Sequence, residues 1–99
     1  MAKFINAFTW KQPLNEEFAS LRPAQAAKAR ELMGQGIIQY LFLAADNSGG
    51  WAIYNGESRD EVLDVIKKLP LYNYMINNVN ELQNAFSGVD AAGQATRSS

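Results

Sequence analysis

Leu69-Pro70-Leu71-Tyr72-Asn73-Tyr74-Met75 is the stretch on which the reading of this chain turns. Behind it, Ser58 and Glu61 have the spacing of a capping box, in which each side chain satisfies a backbone N–H that the helix start leaves unpaired. Val62, Val65, Ile66 and Leu69 then fall on one face of a short helix, and Lys67-Lys68 sit at its negative end. Pro70 stops the helix, because the residue before a proline is pushed out of the helical region. Ahead of the connector, Tyr74 to Val79 reads as a strand, which Leu82 to Phe86 either extends or docks against.

The first part of the chain repeats that plan. Lys3 to Trp10 alternates as a strand, with Phe4, Asn6, Phe8 and Trp10 on one face and Ile5, Ala7 and Thr9 on the other. Lys11 to Asn15 is a loop; Pro13 in it cannot donate to a sheet ladder. Asn15 can cap a turn that carries Glu16 and Glu17 near its positive end. A helix starting at Ser20 places Pro23 in the first turn, where its missing N–H does no harm, and runs to Met33 before Gly34 and Gly36 end it. Ile37 to Ala45 is an apolar strand that places Ile38, Tyr40 and Phe42 on one face. Asp46-Asn47-Ser48-Gly49-Gly50 is a turn, and Trp51 to Tyr54 returns as the second arm of a hairpin.

The order strand, helix, strand, strand, helix, strand is the ferredoxin-like split βαβ plan, an α+β fold with both helices on one face of an antiparallel sheet. The other sheet face then needs a cover. Ile5, Ala7 and the nearly continuous apolar second strand make face-to-face pairing with a second copy the simplest one. The expected domain spans residues 1–87, and the small polar residues from Gly88 to Ser99 form a frayed tail.

Composition removes several chemistries. The chain has 99 residues, enough for one compact domain. It contains neither cysteine nor histidine, so disulfides, thiolate nucleophiles and imidazole catalysis are excluded. Acid–base work falls to Asp, Glu, Lys, Tyr or an ordered water. A net charge of −1 with scattered basic residues argues against a nucleic-acid partner. No apolar run has the length of a membrane span and no leader pattern opens the chain, so a cytoplasmic protein with no membrane partner is the expectation.

The Leu-Pro-Leu-Tyr-x-Tyr-Met connector, set between a capped helix and the last strand, resembles the muconolactone isomerase family of dimeric α+β barrels. The resemblance runs from Glu31 to Leu82. It takes in Leu32 and Gly36 at the end of helix one, Trp51, Ile53 and Tyr54 in strand three, and Ser58 to Leu82 most firmly. It implies a homodimer able to build rings, a small apolar organic ligand from aromatic catabolism, and proton transfer within an unsaturated lactone. No metal or organic cofactor is implied. It also implies carboxylates along helix one and an Arg-His pair early in strand two. The matching stretches here are Gln25-Ala26-Ala27-Lys28-Ala29 and Gln39-Tyr40.

Candidate site residues follow from chemistry. Asn6, flanked by Phe4 and Phe8, either orients a ligand carbonyl or is a hydrogen-bonded core amide. The Tyr40 hydroxyl either donates to a developing oxyanion or reaches a buried partner. Glu31 is the available base of helix one, unless it pairs on the outer surface beside Arg30. Phe8, Phe42, Trp51, Tyr54, Tyr72 and Tyr74 are candidates for an aromatic pocket or for core and interface anchors. Arg22, just before Pro23 near the helix start, either holds an anionic group at a pocket entrance or is a surface side chain, the commoner role. Two functions stay open: a cofactor-free proton-transfer enzyme with Tyr40, Asn6 and Glu31 as its catalytic set, and a non-catalytic binding or assembly protein on the same scaffold. A monooxygenase or haem-binding relative is a third; the usual histidine ligand of haem is missing, although tyrosine can serve as one.

Overall fold

A computed structural model describes residues 1–11 and 14–83 of the chain. Its elements are β1 (Ala2–Trp10), α1 (Glu16–Gly34), β2 (Ile38–Leu43), β3 (Gly49–Gly56), α2 (Arg59–Lys67) and β4 (Met75–Leu82), with a 3-10 turn at Tyr72–Tyr74 before β4. The sheet order is β2-β3-β1-β4, antiparallel throughout. This is the ferredoxin-like α+β arrangement expected from the element order. The expected domain end at residue 87, Phe86 and the tail 88–99 lie outside the described residues.

The core lies between the sheet and the helices. Phe4 and Phe8 of β1, Ala52 and Tyr54 of β3, and Met75 and Val79 of β4 meet Val62 and Ile66 of α2 and Leu32 of α1. Each large side chain buried there stabilises the fold by roughly 1.5–3 kcal/mol. Tyr54 is buried with them, and burial pushes its phenol up to about 12 from an ordinary 10.0. A phenol pKa raised on folding adds stability that is complete below pH 10 and is lost as pH climbs toward 12. The share is about 3 kcal/mol. Urea unfolding from pH 9 to 12 should therefore show a fall in stability that Tyr54→Phe flattens; an unchanged slope in the variant would assign the fall to other groups.

Three sequence expectations need correction. Helix one starts at Glu16, not after Ser20: the Asn15 side chain accepts from the Phe18 N–H at 3.0 Å, and Pro23 lies inside the helix. The cap, Glu16 and Glu17 in the first turn, and the packing of Phe18 on Trp10 together favour the earlier start, and Pro23 costs the helix one backbone hydrogen bond. Tyr40 does not share a face with Ile38. An irregularity between them puts Ile38 opposite Tyr54 but Tyr40 opposite Ile53, so Ile38 enters the core while Tyr40 and Phe42 turn to the open face. Finally, Gly49 and Gly50 belong to β3 rather than to the turn.

The connector behaves as its sequence suggests. Ser58 Oγ accepts from the Glu61 N–H at 3.2 Å, while Glu61 Oε1 accepts from Glu57 N. Leu69 and Leu71 are buried, and the 3-10 turn hands the chain to β4 one residue later than Tyr74.

Candidate functional site

Helix α1 bridges the sheet and seals it only at its two ends. Near its C-terminus Leu32 enters the core; near its N-terminus Phe18 packs edge-on against Trp10, with ring centroids 5.1 Å apart. Between these anchors the stripe facing the sheet carries Ala19, Arg22, Gln25, Ala26 and Ala29. Alanines cannot fill the space that leucines would occupy. The result is a cavity of about 720 Å³, floored by Phe8, Trp10, Leu41 and Leu43, with Leu71 at one side and Asn47 and Gly49 at the hairpin end. Among its described lining residues Arg22 is the only ionisable side chain; Gln25 and Asn47 supply the polar side-chain groups. A mostly apolar, half-open cavity with one cation and two amides suits a small, flat organic anion.

The hairpin end is shaped by turn chemistry. Asp46 Oδ1 accepts from the Ser48 N–H and hydroxyl, bonds that hold its pKa below the usual carboxylate value. Asn47 takes φ 63°, a left-handed conformation that asparagine tolerates, and this brings it to the cavity rim.

The structure scatters the candidate residues. Phe8 and Arg22 line the cavity. Asn6 is fully buried beside Phe4 and Phe8: its Nδ2 donates to Asn77 Oδ1 at 2.9 Å and its Oδ1 accepts from the Asn78 N–H at 3.1 Å. Its polar atoms are spent on tying β1 to β4, and it does not reach the cavity. Tyr40, Phe42 and Trp51 stand on the open sheet face, 53%, 53% and 44% exposed, with Tyr40 and Phe42 stacked. Glu31 is exposed and pairs with Lys28 at 2.5 Å, on the helix surface rather than on the lining. The proposed catalytic set of Tyr40, Asn6 and Glu31 is therefore not brought together.

The remaining aromatics do not line the cavity. Tyr54 is core and Tyr72 packs against the core. Tyr74 lies behind Phe18, edge-on at 5.5 Å, and its hydroxyl donates to Glu17 while Asn15 Oδ1 lies 3.1 Å away. The carboxylate holds the phenol proton and raises the Tyr74 pKa, with loss of solvent a smaller cause. Phe8, Trp10, Phe18 and Tyr74 thus form a continuous edge-to-face row from the cavity floor to the start of α1.

The sequence reading missed Gln25, Asn47, Trp10 and Phe18. One signal was present: Ala19, Ala26 and Ala29 sit on the same stripe as Arg22 and Gln25, and small residues on a core-facing stripe mark a place where the helix stands off. No helix among the described residues is long and apolar enough to cross a membrane.

Comparison with known proteins places this geometry. No curated protein sequence matches the chain. Several solved structures share its fold. Muconolactone isomerase aligns over 88% of this chain and 94% of its own, with TM-score 0.74 and 22% identity. The 5-chloro-2-hydroxyhydroquinone dehydrochlorinase of Burkholderia phenoliruptrix AC1100, in complex with 2,5-dihydroxybenzoquinone, aligns over 86% and 96%, with TM-score 0.58 and 20% identity. The profile of the muconolactone delta-isomerase family matches residues 8–87, from the cavity floor in β1 past the end of β4. The chain belongs to the muconolactone delta-isomerase family.

Proposed function

We propose that the cavity under α1 binds a small unsaturated lactone or aromatic-derived acid by its carboxylate and moves a proton within it, an isomerase-like reaction without a cofactor. The observation that carries this reading is Arg22, the single cation among the described lining residues of a mostly apolar, half-open cavity. A guanidinium pairs with a carboxylate through two parallel hydrogen bonds, which fixes orientation as well as charge. The ring of such a ligand would then lie against Phe8 and Trp10. No carboxylate or tyrosine is on the described lining, so the proton would travel through water. Family membership and the fold support an isomerase-like enzyme at this coarse level.

The same absence of an ionisable base favours a second reading, binding without turnover. One experiment separates them. A ligand panel of unsaturated lactone acids and small aromatic acids is titrated by NMR in D₂O. Binding with exchange of the ligand's acidic C–H supports the enzyme; binding without exchange supports the carrier. Arg22→Ala should weaken the carboxylate ligands by about 30- to 100-fold, the worth of a charged hydrogen bond, while the melting temperature stays near that of the parent. Equal affinity in the variant would remove Arg22 from the site.

Self-association belongs to the same proposal. The open sheet face carries Ile5, Tyr40, Phe42, Trp51, Ile53 and Ile76, an apolar area of the kind that a lone small domain seldom leaves to water. A second copy packed on this face, in a cytoplasmic protein that acts on products of aromatic breakdown, completes the reading. Sedimentation should give a dimer or larger, and Trp51→Glu should shift it toward monomer; a parent that sediments as a monomer at tens of micromolar would remove this part.

A further inference from the structure

Gln25 occupies an unusual position on the lining. Its Oε1 accepts from the Leu71 N–H at 3.0 Å, across the gap between α1 and the connector. Leu71 follows a proline, so its N–H is the first donor the connector has after the helix stop. A donor can be met only by the carbonyl oxygen of the amide, which settles the orientation of the side chain without ambiguity. The Nε2 group then has no hydrogen-bond partner among the described residues, and no side-chain nitrogen among them is both buried and unpartnered, so this NH₂ is left accessible at a residue that lines the cavity. Arg22 lies three residues earlier on the same helix face, a spacing that puts the two side chains about 5–6 Å apart at their Cβ atoms.

We infer that Gln25 is the specificity residue of the cavity: its NH₂ donates to an acceptor oxygen on the ligand's ring, while Arg22 holds the ligand's carboxylate. The inference rests on the carboxylate-binding reading above and adds to it the residue that reads the ring. The cavity selects a ring that bears a carbonyl or lactone oxygen and discriminates against a plain hydrocarbon ring of the same size. The connector bond is what makes the amide a fixed reader; a free glutamine could rotate to serve either a donor or an acceptor. A ligand that lacks the oxygen leaves the NH₂ unpaired once water has been displaced, and that loss sets the discrimination.

The test compares two matched probes, butenolide acetate and cyclopentenylacetate, which share a carboxylate arm and a five-membered ring but differ in the ring oxygens. Affinities are measured by NMR titration for the parent and for Gln25→Met. The parent should bind the butenolide acid about tenfold more tightly, the effect of one unmade hydrogen bond. Gln25→Met should bring the ratio close to one, with cyclopentenylacetate affinity nearly unchanged. A purely structural role through Leu71 would weaken both probes together and preserve the ratio, which overturns the inference. Equal binding of both probes by the parent also overturns it and leaves the Arg22 site standing. Binding of neither probe by the parent overturns the carboxylate-binding reading, and this inference falls with it.

Discussion

Gly49→Ala should abolish the native fold or leave it barely populated. Gly49 opens β3 at φ 155°, a conformation closed to residues with a Cβ. A Cβ built there would sit 2.0 Å from the Phe8 carbonyl oxygen and 2.7 Å from the Thr9 Cα. Both are backbone atoms of the neighbouring central strand, so relief requires parting β1 from β3 rather than turning a side chain. Phe8 is also part of the core, and the movement would spread into it. The cost should be about 4 kcal/mol or more, against a total stability of about 5–10 kcal/mol for a domain of this size. Gly34→Ala is the control. Gly34 ends α1 with no left-handed φ, and a Cβ added there would meet nothing within 4 Å, so the change should leave stability within about 0.5 kcal/mol of the parent or slightly above it. Urea denaturation followed by circular dichroism reads both. Two variants of similar stability would show that the approach of β3 to Phe8 is not constraining.

Asn6→Leu should destabilise by about 1–3 kcal/mol and leave ligand affinity intact. The two side chains are close in size, so the change removes polarity more than volume. What it strands is the Asn78 N–H and Asn77 Oδ1, both partnered by Asn6 between β1 and β4. Asn77 is half-buried and Asn78 exposed on the edge strand, so water recovers part of what these groups lose, and the rest of the desolvation cost remains. The ligand readout separates this role from the catalytic one that the sequence suggested. Asn6 is close to Phe8 in sequence but absent from the cavity lining. Loss of ligand binding in a variant of parental stability would return Asn6 to the site.

The element order was legible in the sequence because each boundary has a local cause. Ser58 and Glu61 form their cap from residues three apart, Pro70 ends α2 by its own geometry, and Asp46 to Ser48 turn on their own side-chain hydrogen bonds. The fold plan followed from these, as did the resemblance carried by the connector. The start of α1 was a contest between Asn15 and Pro23, and the packing of Phe18 on Trp10 adds to the cap on the side of the earlier start. Such contests are visible in sequence but are settled by energies that a pattern does not weigh.

The site was far less legible. Strict alternation along β2 puts Tyr40 with Ile38, and one backbone irregularity reverses that by sending every later residue to the opposite face. Phe8 and Trp51 could each be named as aromatic lining, yet they project from opposite faces of one sheet. Arg22 and Gln25 are ordinary residues of an exposed-looking helix until its alanines hold it off the sheet. By itself, then, the sequence determined the order of elements, their caps and stops, and the exclusion of thiol and imidazole chemistry, all of which depend on residue identity and short separations. Only the tertiary structure decided which face Tyr40 takes, that Asn6 is spent on Asn77 and Asn78, and that a cavity opens beside Arg22. Those depend on strand register and on volume left unfilled between distant segments, quantities that no single stretch of chain contains.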